Sequence, residues 1–288
     1  MERNIGGFVE LTNVSCGAAP VEDVTFRAQQ PIGRHLPPFS EDPDYPFHPV
    51  PAQSEAVKPG TDVITVGVGG NTLGFADILL KCEALGAGSG GVGTPCRDAL
   101  AADIPGKLTK VRSAYDQMLA KLHEKAPHAK ILTVGYPTVI PKDTSKCRYN
   151  DLQQFGSITR GDLDWLRKDV LEPLNNTIEK SAGTHDAASF VNLYYSTQNH
   201  SVCDADKWVE GLLDHDHKPT PRTPQRRGPP QRRRPHRNGD PERHRPGLTR
   251  IGTPPSIPQR AASAPPARRQ LRSLVTRTHR SPRLAEMR

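Results

Sequence analysis

The chain is 288 residues long with a formal net charge of +8, and it holds 29 prolines and five cysteines. No run is long and apolar enough to cross a membrane as a helix, and no Cys-x-x-Cys pair or histidine cluster stands at ligand spacing, so a membrane-spanning protein and a zinc site are both disfavoured. The charge averages two unlike parts: residues 218–288 carry 19 Lys and Arg against 3 Asp and Glu, a net of +16, which leaves 20 against 28, a net of −8, for residues 1–217.

In chain order, FVELTNV (8–14) reads as a strand that ends in Ser15, Cys16 and Gly17. Residues 31–57 are polar and proline-rich and read as a long loop over the site. DVITVGV (62–68) is a short β-branched run of the kind a parallel strand buried on both faces produces. Gly69 and Gly70 let the backbone turn sharply at its carboxyl end, where α/β sheets place their ligands. Asn71 follows, and two readings stay open for it on spacing alone: an N-cap of the next helix, or a side-chain amide aimed at a developing oxyanion. Cys82 and Cys96 bracket a glycine-rich stretch that reads as a loop.

The segment 105–127 sets Leu108, Val111, Tyr115, Met118, Leu119 and Leu122 on one helical face. KILTVGYP (130–137) is the next strand, a second helix is expected near 161–182, and SFVNLYY (189–195) is the last strand. Strand and helix in alternation predict an α/β fold with a parallel sheet and helices on both faces. Residues 218–288 have no Phe, Tyr or Trp and 14 of the 29 prolines, so this tail is expected to be disordered.

Two of these stretches carry a family resemblance. GGNTLGFADI resembles the third sequence block of the SGNH (GDSL-type) esterases and lipases, whose Asn is an oxyanion-hole donor; that role would fall on Asn71. Thr72 stands where the family usually has Asp, as in one secreted bacterial branch. FVELTNVSCGAAPVEDV is similar to the second block, whose Gly gives a backbone N–H to the same oxyanion, here Gly17. The resemblance covers roughly residues 8–213. It implies a three-layer α/β/α, flavodoxin-like sheet and hydrolysis of carboxylic esters without a cofactor. The implied protein is a secreted monomer whose partner is an ester substrate: a lipid, an acylated small molecule or a polysaccharide ester. It also implies the disulfides Cys82–Cys96 and Cys147–Cys203, which would contribute about 3 and about 4 kcal/mol in the chain-entropy model. Cys16 is left over, its family partner being expected upstream of Met1.

Such chemistry needs a nucleophilic Ser and a His base beside the oxyanion donors. The family's Ser lies in a Gly-Asp-Ser motif after the first strand, and neither that motif nor Gly-x-Ser-x-Gly occurs in these residues. Ser15 reads as structural and Ser89 as a loop residue. With no signal-like apolar run in MERNIGG, the expectation is a truncated N-terminus that took the first strand and the nucleophile with it.

The family's His belongs to a His-Pro-Asn segment near the C-terminus. The chain follows the family through HSVCDADKWVEGLLD and changes character near Asp214, after which Arg outnumbers Lys 18 to 1. Read one nucleotide later, the codons permitted by TPQRRGPPQR (223–232) can encode His-Pro-Asn-Ala-Glu-Gly-His-Arg-Asn-Ala, so a frameshift near Asp214 is expected to have removed the base. Asp214 and His217 offer a rival Asp-x-x-His pair, with His217 as the base. His123, His128, His185 and His200 read as surface or loop histidines.

The expected organisation is an incomplete esterase-type domain over residues 1–213, lacking its first strand and exposing an apolar edge, and a disordered tail over 214–288. Two other functions are weighed. The +16 tail could bind nucleic acid or an anionic surface without sequence preference, but it lacks aromatics for base stacking, so no specific nucleic-acid partner is expected. A non-catalytic carbohydrate or lipid binder on the same scaffold is the other.

Overall fold

The computed structural model describes residues 9–32, 46–212 and 271–277. Strand β1 (Val9–Asn13) leads through a turn to a short helix α1 (Val21–Thr25). A 3-10 turn at Gln53–Ala56 precedes β2 (Val63–Gly67), whose central residues Ile64, Thr65 and Val66 are buried. One turn of helix, α2 (Gly70–Leu73), ends at Gly74 in the left-handed region, and α3 (Phe75–Gly88) follows from it. Then come α4 (Pro95–Leu100), α5 (Ile104–Lys125) and β3 (Lys130–Val134). Helix α5 buries Val111, Tyr115, Met118, Leu119 and Leu122, the face that the periodicity marks.

The glycine-rich stretch after Cys82 is helical as far as Gly88, not a loop from Cys82 onward. The reason is contact: a Cβ at Gly86 would lie 2.0 Å from the Ser157 carbonyl oxygen, so glycine there lets α3 press against the 157 backbone. The expected helix at 161–182 is three pieces: α6 (Arg160–Trp165), a π-helical turn over Leu166–Leu171, and α7 (Glu172–Ala182). Thr159 caps α6 by accepting the Asp162 amide. Strand β4 (Ala188–Val191) is shorter than SFVNLYY suggests, because the Asn192 side chain accepts the Tyr194 and Tyr195 amides and starts helix α8 (Leu193–Ser196).

The sheet is wholly parallel in the order β1-β5-β2-β3-β4, where β5 is Leu271–Arg277. Strand β5 falls within the segment expected to be disordered; the rest of 214–288, His217 included, lies outside the described residues. Strand β5 sits between β1 and β2, pairing Thr12 with Leu274 on one side and Ile64 with Leu274 on the other. A gap one strand wide would leave two facing rows of unpaired N–H and C=O groups, and a parallel strand satisfies both rows at once. Among the described residues no helix is long and apolar enough to cross a membrane.

Candidate active site

Two turns at the carboxyl ends of β1 and β2 meet, and they hold the residues singled out in the sequence. The second is the tighter. Val68 and Gly69 are buried, and Gly69 takes φ = +120°, a conformation that side chains other than glycine's rarely adopt. Its neighbours are two tyrosines. The Tyr115 hydroxyl donates to the Val68 carbonyl at 2.7 Å, and the Gly70 N–H donates to the Tyr136 hydroxyl oxygen at 2.7 Å. A Cβ would come 3.2 Å from the Tyr115 ring at Gly69 and 2.9 Å from the Tyr136 oxygen at Gly70. The glycine pair is therefore set by close approach as well as by the turn. Burial pushes the Tyr115 hydroxyl well above its ordinary range, with the nearby Tyr136 acting in the same direction, so it stays a neutral donor to Val68.

The first turn runs Ser15-Cys16-Gly17-Ala18-Ala19. Ala18 is in the left-handed region at φ = +62°, and the Gly17 carbonyl accepts the Gln29 side-chain amide. Gln29 is itself fixed by backbone bonds to Val50 in both directions, 2.9 and 2.8 Å. The two turns are joined directly. Asn71 Nδ2 donates to the Ala19 carbonyl at 3.1 Å, and the Val21 N–H donates to Thr72 Oγ1 at 2.9 Å. Asn71 is half-buried and donates its amide across to the first turn, whose Gly17 supplies the other candidate N–H.

Thr72 has a reason of its own. Its hydroxyl accepts from Val21 and donates to Glu22 Oε2 at 3.2 Å, while Lys110 stands 3.8 Å from the other Glu22 oxygen. An Asp at this position could accept the Val21 N–H but would bring a second carboxylate against Glu22.

Ser15 Oγ donates to Asn13 Oδ1 at 2.7 Å, and the Ser15 N–H donates to the same oxygen, which is a local turn at the end of β1. Ser89 Oγ donates to the Gly86 carbonyl and closes α3. His200 stacks on Trp208 with centroids 3.7 Å apart, and its Nδ1 lies 2.8 Å from the Asp206 carbonyl. Cys82–Cys96 and Cys147–Cys203 are disulfides with Cα separations of 4.7 and 5.1 Å, and Cys16 belongs to neither. Asp214 and His217 lie outside the described residues.

No protein-family model matches the chain. It is 29% identical over 207 residues to Lipase 2 of Streptomyces coelicolor, covering 70% of this chain and 62% of that protein. It is 30% identical over 223 residues to an esterase of Streptomyces scabiei, covering 70% of this chain and 60% of that protein. The chain is similar in sequence to Streptomyces lipases and esterases. It spans 62% and 60% of the length of these two relatives. An extracellular lipase of Streptomyces rimosus of known structure is 20% identical, with a TM-score of 0.41 over 59% of this chain and 67% of that one.

The sequence singles out Gly17, Gly69, Gly70, Asn71 and Thr72, which the two joined turns bring together. It does not mark Tyr115 and Tyr136 as holders of the turn or Gln29 and Glu22 as supports of its neighbours. The helical spacing marks Tyr115 only as a core position, and the strand pattern marks Tyr136 only as a strand end. The signal that could have found Tyr136 is its place directly past a strand's carboxyl end, where α/β sheets gather their functional groups.

Proposed function

We propose that these two turns are the oxyanion half of an SGNH-type carboxylic ester hydrolase site, with the Gly17 N–H and the Asn71 amide as the donors. The observation that carries this reading is the Asn71 Nδ2 bond to Ala19, which ties the glycine–asparagine turn of β2 to the Gly17 turn of β1. Oxyanion donors act by being in place before charge develops, and a network that fixes both turns meets that need. The names of the homologues support ester chemistry, and no cofactor is required for it.

In this reading a Ser attacks the ester carbonyl, a His carries its proton to the leaving alkoxide, and the donors hold the tetrahedral oxyanion. The 288 residues contain no Gly-Asp-Ser, and the polypeptide as it stands is proposed to turn over esters at near-background rates. Two disulfides favour an oxidising, extracellular setting, and the substrate is proposed to be a lipid or other acyl ester handled by a monomer.

The test is hydrolysis of an activated short-chain ester by the purified chain and by Asn71→Ala. Equal, near-background rates are expected. Turnover that falls by about a hundredfold in Asn71→Ala would establish the oxyanion role and overturn the inactivity.

A further inference from the structure

Helix α2 has an orphan at its start. Gly70 is its first residue, so the Gly70 N–H has no partner within the helix. It is buried, and a buried unpaired N–H is costly. Tyr136 meets that need from 66 residues away, with its hydroxyl oxygen 2.7 Å from the nitrogen. The tyrosine cannot drift, because its backbone is held on both sides by one side chain: the Tyr136 N–H donates to Asn175 Oδ1 at 2.7 Å and Asn175 Nδ2 donates to the Tyr136 carbonyl at 3.0 Å. Asn175 is only 5% exposed and sits on α7, so the hold on the turn runs from α7 through the end of β3 to Gly70.

Glycine at 135 completes the arrangement. A Cβ there would lie 2.6 Å from the Phe190 ring and 3.0 Å from Asn175 Oδ1, so only glycine lets the Tyr136 backbone reach Asn175. On the opposite side of the turn, Tyr115 holds the Val68 carbonyl. The strand end and the helix start are thus pinned by two phenols on different elements. Between them lies Gly69 at φ = +120°, a backbone conformation open to glycine.

We propose that Tyr136 is a positioning residue for the oxyanion turn: its hydroxyl, anchored through Asn175, fixes the Gly70 peptide and so sets the direction in which Asn71 presents its amide. The proposal rests on the ester-hydrolase reading of this turn. Tyr136 acts through Gly70 and Asn71 and takes no part in bond making. Phenylalanine keeps the ring and its packing but removes the acceptor, so it isolates the hydroxyl.

The experiment compares the full-length chain with Tyr136→Phe by amide hydrogen exchange and by titration with butylphosphonate, a tetrahedral anion, followed at the Gly17 N–H and the Asn71 side-chain amide. In Tyr136→Phe, Gly70 exchange is expected to rise about tenfold or more while amides in the middle of α5 are unchanged. The phosphonate is expected to bind about tenfold more weakly, with the Asn71 resonances shifted in the free protein. Unchanged exchange at Gly70, or unchanged Asn71 resonances and affinity, overturns the proposal.

If butylphosphonate fails to bind the unsubstituted chain while Gly70 exchange rises and the Asn71 resonances shift in Tyr136→Phe, the oxyanion reading falls and the hold on the turn stands. The unsubstituted chain gives a second measurement that needs no variant to fold. Gly70, a helix-start amide, is expected to be as protected as the buried amides of β2, and free exchange there overturns the proposal.

Discussion

The glycine pair at 69–70 shows how few residues fit this site. Gly69 combines φ = +120° with a tyrosine ring 3.2 Å from where a Cβ would stand, so alanine there meets both strain and a clash. Gly69→Ala is expected to lower unfolding free energy by about 1–3 kcal/mol in urea titration. Gly60→Ala, where an added Cβ meets nothing within 4 Å, is the control and is expected to be neutral or slightly stabilising. Equal effects at the two positions would show that the turn is not strained. Asn71 and the glycines were legible because their spacing after a strand is a local pattern. Thr72 was legible only as a departure from one, since its reason is Glu22, which lies 50 residues away in sequence. Tyr136 and Asn175 were not legible as holders of the turn, because their bonds span 66 and 39 residues and no local pattern encodes them.

At the scale of elements, periodicity located β2 and α5 to within a residue or two, placed the end of β3 three residues late, and failed where side chains compete with the backbone. Asn192 ends β4 early by capping α8, and the π turn at Leu166–Leu171 has the same apolar spacing as an ordinary helix. That turn delivers Arg167 to Glu172 at 2.6 Å, and the same carboxylate oxygen accepts the Tyr194 hydroxyl of α8 at 2.7 Å. Burial, then the bond to Glu172 and its charge, push the Tyr194 hydroxyl up to about 12 from its ordinary 10. The folded chain therefore keeps this proton at a pH where the unfolded chain has lost it. The stabilisation is complete below about pH 10 and declines as pH rises toward about 12. Melting temperatures measured from pH 9 upward are expected to fall more steeply for the unsubstituted chain than for Tyr194→Phe, after both are referenced to pH 8. Parallel slopes would show that Tyr194 titrates alike in both states.

At the scale of the molecule, composition marked 214–288 as unable to fold, yet Leu271–Arg277 forms an interior strand. The average hid a local exception: LRSLVTR lies in a stretch without proline between Pro266 and Pro282, and it contains Leu, Val and Thr at strand-forming density. What selects it is the sheet. Strands β1 and β2 present facing edges that both need a neighbour, and an interior strand turns each of its N–H groups toward one or the other. Proline is the sharp test, since it removes one ladder donor and is not accommodated in an interior strand. Val275, which is paired with Asn13 on one side and Thr65 on the other, is the central choice. Val275→Pro is expected to cost about 3 kcal/mol or more and to expose the amides of β1 and β2 to exchange together. If residues 271–277 stood outside the sheet, the same substitution would change stability by no more than about 0.5 kcal/mol, as at an ordinary surface position. The two outcomes differ widely enough for a single urea titration to separate them. The first would make the basic C-terminal segment part of the fold that holds the β1 and β2 turns together.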